Sequence, residues 1–148
     1  MGRSDFGLAH LGAVVVGAGY LVFGLVGFAV TGFGSFILDT PDSLLYQDLN
    51  PFHNVVHAAI GAYLLFAATQ SRPVVEGALI GGGAVYLVAV FLGVTGGLEI
   101  ISITNGDRFA AVNGFHLVSG STALALGLFS AATTPKAADP NRVIKQPR

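Results

Sequence analysis

Two stretches of this chain repeat one spacing of groups that can do chemistry: Asn54-x-x-His57-x-x-x-Gly61 and Asn113-x-x-His116-x-x-x-Gly120. A neutral imidazole offers one donor and one acceptor and is a common metal ligand, and a carboxamide offers both kinds of hydrogen bond. His53 precedes His57 by four positions, so on a helix the two share a face. The candidate polar cluster, ligand-binding or structural, is therefore His53, Asn54, His57, Asn113 and His116. No catalytic residue is assigned. The chain has no G-x-S-x-G, P-loop or H-E-x-x-H string, and Ser119, Ser121 and Thr122 read as packing residues.

Four uses of this cluster are open. Neutral His and Asn side chains can hydrogen-bond across helices and fix which faces meet. His53 and His57 have the spacing of two metal ligands on one helix, with His116 as a third, for zinc or copper. His57 and His116, on different helices, could be the two axial ligands of a haem, although no C-x-x-C-H is present. Finally, histidines near the outer surface could bind an acidic ligand or sense pH. Haem and a transition metal are both candidate cofactors, and neither is favoured over a structural role.

The elements that must position these groups are helices in a membrane. The hydrophobic fraction is 53%, the charged fraction 10% and the mean hydropathy +0.71, whereas soluble domains carry about 25% charged residues. No Asp, Glu, Lys or Arg lies between Asp5 and Asp39, Asp48 and Arg72, Glu76 and Glu99, or Arg108 and Lys136. Each gap holds the roughly 20 residues that cross a hydrocarbon core. The spacing predicts helices near 7–30, 51–70, 74–98 and 109–132: an all-α, integral membrane four-helix bundle over residues 1–132, followed by a flexible polar tail, 133–148. Asn50 and Pro51 predict the cap and first turn of the second helix. The 31–50 segment carries Phe33, Phe36, Ile37, Leu38, Leu44, Leu45 and Tyr46, too apolar for an ordinary loop. It is expected to fold onto the helix ends or lie in the interface, with a lid as the sharper alternative.

Arg3, Arg72, Lys136, Arg142, Lys145 and Arg148 fall on one predicted side and Arg108 on the other. The positive-inside rule then puts both termini in the cytoplasm of a multi-pass cell-membrane protein. The net charge of −1 gives no reason to expect nucleic acid. The expected partners are the lipid bilayer and a second copy or a larger membrane complex.

The halves of the chain correspond further. Tyr20-Leu21-Val22 with Gly27 matches Tyr86-Leu87-Val88 with Gly93, 66 residues on, while the histidines repeat after 59. A longer first loop absorbs the difference, so the reading is two parallel-repeat helical hairpins. Gly12 with Gly19, Gly17 with Gly24, and Gly77 with Gly81 are spaced to let helix backbones approach closely. Arg72 and Glu76, four apart, are expected to form an ion pair at the cytoplasmic end.

The run Leu49-Asn50-Pro51-Phe52-His53-Asn54-Val55-Val56-His57, with Gly61, and the run Asn113-Gly-Phe-His116-Leu-Val-Ser-Gly120 resemble the hallmark of a family of small four-span bacterial membrane proteins of unknown function, frequent in actinobacteria. The resemblance runs from about Phe6 to Ala132. It implies the four-helix membrane architecture and an emphasis on these polar residues, and no activity. The leading expectation is a non-enzymatic membrane protein, an accessory or self-associating subunit, held together by its His/Asn cluster. The alternatives are a haem- or metal-binding redox protein using His57 and His116, and a small-molecule binder or transporter with the 31–50 loop as lid.

Overall fold

A computed structural model describes residues 6–37, 43–98, 107 and 109–133. Four helices account for most of them: α1 (Leu8–Thr31), α2 (Pro51–Ala67), α3 (Arg72–Thr95) and α4 (Ala111–Thr133). A two-stranded antiparallel hairpin, β1 (Ser43–Leu44) and β2 (Gln47–Asp48), lies between α1 and α2. The chain is thus mostly helical but not all-α. The hairpin was missed because its turn residues, Leu45 and Tyr46, carry no turn signal. Both have positive φ, 53° and 63°, a conformation usually reserved for Asn and Gly in such turns. Asp39, Asp42, Glu99, Arg108, the Asn105-Gly106 pair, whose residue types predict a turn, and residues 134–148 of the expected tail lie outside the described residues.

α1, α3 and α4 are long and apolar enough to cross a membrane. Their outward surfaces are large and apolar: Val15, Leu25, Val88, Phe91, Val118 and Phe129 are each more than half exposed. Water would penalise such a surface and hydrocarbon would not. α2 has 17 residues, about 26 Å at 1.5 Å per residue, a little short of a roughly 30 Å hydrocarbon core. It starts as expected: the Asn50 side chain accepts from His53 N at 2.9 Å, and Pro51 opens the first turn. It stops at Ala67 rather than 70, because Ala68–Gln70 form the tight turn into α3.

The helices pack closely as α1 with α2 and as α3 with α4. Glycines set both approaches. A β-carbon on Gly17 would meet the Gly61 carbonyl oxygen and Leu65 N at 3.0–3.1 Å, and one on Gly83 would meet the Gly120 oxygen and Leu124 N at 2.6–2.7 Å. With no Cβ on either side, backbone lies on backbone, the way helices associate without a hydrophobic drive. Gly12 and Gly24 are also buried against neighbours, whereas Gly19, Gly77 and Gly81 are exposed, with nothing within 4 Å of a built β-carbon. The Gly77-x-x-x-Gly81 spacing therefore does not mark a packing face inside the molecule. Spacing reveals that two glycines share a face, not which way that face points.

The apolar core sits at the end where α1 and α3 begin. Ala9, Ala13, Leu64, Ala67, Val75, Ala78, Leu79 and Ala123 are nearly inaccessible there. The same end holds two buried polar ties. His10 Nε2 lies 3.1 Å from the Gln70 carbonyl oxygen, so His10 secures the α2–α3 turn, far from the other histidines. Glu76 Oε1 accepts from Arg72 Nε at 2.9 Å and from Ser130 Oγ at 2.7 Å. The expected ion pair is thus also a link from α3 to α4, and Arg72 extends it to the Ser130 carbonyl.

Candidate functional site

At the opposite half of the helices the polar side chains gather. α2 carries His53, Asn54 and His57 within its first two turns, and α4 carries Asn113 and His116 in its own first two turns. All five are at most 5% exposed. Their convergence follows from the glycine contacts: α2 and α4 each present the same stripe, Asn-x-x-His-x-x-x-Gly, inward.

The two asparagines do not sit with the histidines. Each is pressed against a glycine of the neighbouring helix. A β-carbon on Gly27 would overlap Asn54 Oδ1, and one on Gly93 would overlap Asn113 Oδ1. Asn54 Nδ2 also donates to Thr31 Oγ1 at 2.9 Å, and Thr31 Oγ1 donates to the Gly27 carbonyl at 3.1 Å. Asn54 thereby closes a ring of contacts on the last turn of α1. Gly97 stands 66 residues after Thr31, so the position matching Thr31 in the second pair carries no hydroxyl.

The three histidines form one group. His53, His57 and His116 each offer a ring nitrogen, and these lie within 4.8 Å of one another. His53 Nε2 and His57 Nε2 are 2.7 Å apart, a distance at which one nitrogen carries the proton and the other accepts it. The His57 and His116 rings lie 5.6 Å apart and 30° from parallel. Among the described residues, His57 Nδ1 and both nitrogens of His116 have no hydrogen-bond partner.

Two tyrosines complete the group. Tyr20 and Tyr86 stack, centroids 4.4 Å apart at 10°. Tyr20 lies 5.0 Å from the His57 ring and Tyr86 5.0 Å from the His116 ring. The Tyr20 hydroxyl hydrogen-bonds the Ser119 hydroxyl, which in turn donates to the Phe115 carbonyl at 2.6 Å. The arrangement is nearly two-fold, with one tyrosine and one histidine from each side. His53 and Ser119 break it, because Val112 and Ile60 stand at the matching positions.

Sequence reasoning collected the histidines but not Tyr20, Tyr86, Ser119 or Gln47. For the tyrosines the signal was present, since the offset of 66 marks them as a pair. For Ser119 and Gln47 there was none, because both depend on how hairpin and helices meet. Of the acidic residues that precede α2 and α4, Asp48 is in β2, and Asp107 Oδ1 accepts from Phe109 N at 2.8 Å.

Chemically, three buried neutral nitrogen donors can hold a late transition-metal ion, and the Tyr86 phenol, with no hydrogen-bond partner among the described residues, can donate one more hydrogen bond. A haem fits less well. Rings of Tyr20, His53, Tyr86 and His116 lie within 6.1 Å of His57, which fills the flat slot a macrocycle would need.

Comparison with known proteins gives one match: a family described as Domain of unknown function (DUF4383), over residues 10–129. No curated protein and no solved structure matches the chain.

Proposed function

The chain belongs to the family of unknown function DUF4383, and from that premise we propose that it is a four-span membrane protein that holds a transition-metal ion between its helices. Three apolar helices of spanning length support the membrane setting. α2 is the proposed fourth crossing, its outer end capped by Asn50. The domain is then residues 1–132, with a cytoplasmic polar tail over 133–148. The distribution of Lys and Arg supports both termini inside.

In this reading the chain is two parallel-repeat hairpins. The support is contact for contact. Gly17 on Gly61 matches Gly83 on Gly120, and Gly27 on Asn54 matches Gly93 on Asn113. The offsets are 66 for the first helix of each pair and 59 for the second. The asparagines are the structural half of the polar set, locking each hairpin.

The histidines are the binding half. The observation that carries this is three buried imidazoles within 4.8 Å, with His116 meeting no hydrogen-bond partner among the described residues. Hydrogen-bonding glue would use those nitrogens, whereas a ligand set awaiting an ion leaves them free, and burying them unmet is costly. The facing nitrogens of His53 and His57 swing slightly apart to admit an ion with bonds of about 2.0–2.1 Å. Zinc and copper both suit imidazole. Copper as a single charge fits better, because the trio contains no carboxylate and a second buried charge costs more.

The test is metal analysis of protein purified in mild detergent, stripped with chelator and reloaded with Cu⁺ or Zn²⁺ in separate arms. We expect about one ion per chain, lost in His57→Gln and His116→Gln and retained in the outward-facing Val118→Ala. A folded wild-type protein that takes up neither ion would sink the metal reading and leave the histidines a packing role.

A further inference from the structure

A cavity of about 220 Å³ opens between α1 and α4. Its rim is apolar: Val15, Gly19 and Phe115 are exposed there. Its inner end is polar and consists of His57, His116, Ser119 and Tyr20, with Gln47 arriving from the hairpin. The hairpin touches both helices beside the cavity, β1 on α1 and β2 on α4. Its turn throws Tyr46 outward, 91% exposed, and turns Gln47 inward, 3% exposed.

Four buried polar atoms belonging to the cavity lining meet no hydrogen-bond partner among the described residues: Gln47 Oε1, His57 Nδ1, and His116 Nδ1 and Nε2. The three side chains are 3–4% exposed. Such groups are costly to leave unmet in an apolar setting. An acyl chain seated here would leave all four unmet. A charged ligand would have to pass an apolar rim facing the hydrocarbon. The occupant these features select is uncharged, lipid-soluble and flat enough to lie among Tyr20, Phe23 and Phe115, with an oxygen atom at its inner end.

We infer that this cavity binds the ring of a lipid-soluble quinone or quinol, entering sideways from the membrane between α1 and α4. A neutral imidazole presents one N–H donor and one lone-pair acceptor. A quinone carbonyl accepts from the His116 N–H, which a metal on the other ring nitrogen would leave in place. The Gln47 amide has both an N–H donor and a carbonyl acceptor, so it can meet either the quinone or the quinol form. This needs only the direction of these side chains and does not depend on a bound metal.

Gly19 supplies the control. It lines the cavity, and nothing lies within 4 Å of a built β-carbon there. Gly19→Leu therefore fills the ring's space and leaves every polar group in place. The experiment is equilibrium dialysis of the detergent-purified protein with a decyl-substituted benzoquinone, with decylbenzene as competitor. We expect saturable binding of about one quinone per chain, weakened about tenfold or more in Gly19→Leu and in Gln47→Leu, as for loss of a buried partner. Decylbenzene, which lacks the oxygens, is expected not to compete. No saturable binding, wild-type binding by a folded Gly19→Leu, or equal competition by decylbenzene would each overturn the inference, the last by revealing an acyl-chain crevice. The metal content of Gly19→Leu, whose histidines are intact, reports on the metal reading separately.

Discussion

The side-chain oxygen of Asn54 rests on Gly27 so closely that a methyl group at position 27 would overlap it. The same contact joins Asn113 to Gly93. Glycine is required there by the asparagine, since the carboxamide occupies the volume of the missing β-carbon. A polar side chain in hydrocarbon needs partners, and Asn54 finds one in Thr31.

Gly27→Ala is accordingly expected to destabilise the protein by roughly 1–3 kcal/mol, the usual cost of overpacking. Asn54→Ala/Gly27→Ala together are expected to cost less than the sum of the single changes, because shortening Asn54 makes room for the methyl group. A double-mutant cycle by thermal unfolding in mild detergent measures the coupling. Gly93 with Asn113 is expected to give a coupling of the same sign. Gly81→Ala, with open space around it, is expected to leave the unfolding temperature unchanged or raised.

The Arg72–Glu76–Ser130 link is the second target. Glu76 is 7% exposed and accepts from both partners. Ser130→Ala removes the hydrogen bond to the Glu76 carboxylate and the one that Ser130 Oγ accepts from Arg72 at 3.2 Å, and is expected to cost about 1.5–3 kcal/mol. Arg72→Ala removes the ion pair. The Arg72 side chain is 33% exposed, so its loss is expected to fall between the roughly 1 kcal/mol of a surface pair and the roughly 3 kcal/mol of a buried one. Unfolding of Arg72→Ala, Ser130→Ala and the double variant checks both values. Additive losses would show that the two contacts act separately.

The hairpin turn stores backbone strain. Tyr46 has φ 63° and is 91% exposed. A side chain in the left-handed region costs on the order of 1–2 kcal/mol that glycine avoids. Tyr46→Gly is therefore expected to raise stability by about 1 kcal/mol in detergent. An unfolding temperature lowered by this change would mean that the tyrosine ring contributes more than its backbone strain removes.

Orientation is checked by single-cysteine labelling, for which the chain is suited because it contains no cysteine. Tyr46→Cys is expected to react with a membrane-impermeant maleimide added outside intact cells. Arg148→Cys is expected to react only after permeabilisation. The reverse pattern would invert the proposed topology.

Much of this architecture was legible in one dimension. Charge-free runs marked the helices because a charge inside a membrane span is costly. Asn50-Pro51 marked the start of α2 because asparagine caps a helix and a proline just after it forgoes an N–H without loss. The offsets of 66 and 59 marked Tyr20 with Tyr86 and His57 with His116. What the spacing left open was direction. Gly77 and Gly81 share a face that points outward, and a hairpin formed on Leu45 and Tyr46 without any turn residue to announce it.

By itself, then, the sequence determined which residues are polar within apolar helices and how far along each helix they lie. Those are properties of the chain, set by helical rise and by the cost of burying charge. Only the tertiary structure divided the set, sending Asn54 and Asn113 against glycines and turning His53, His57 and His116 toward one another. Likewise only packing brought Ser119 to Tyr20, 99 residues apart, and set Gln47 beside His116 on one cavity. The reason is rotational. Helical spacing fixes which side chains share a face, but how each helix turns about its axis is decided by the glycine surfaces on which it comes to rest.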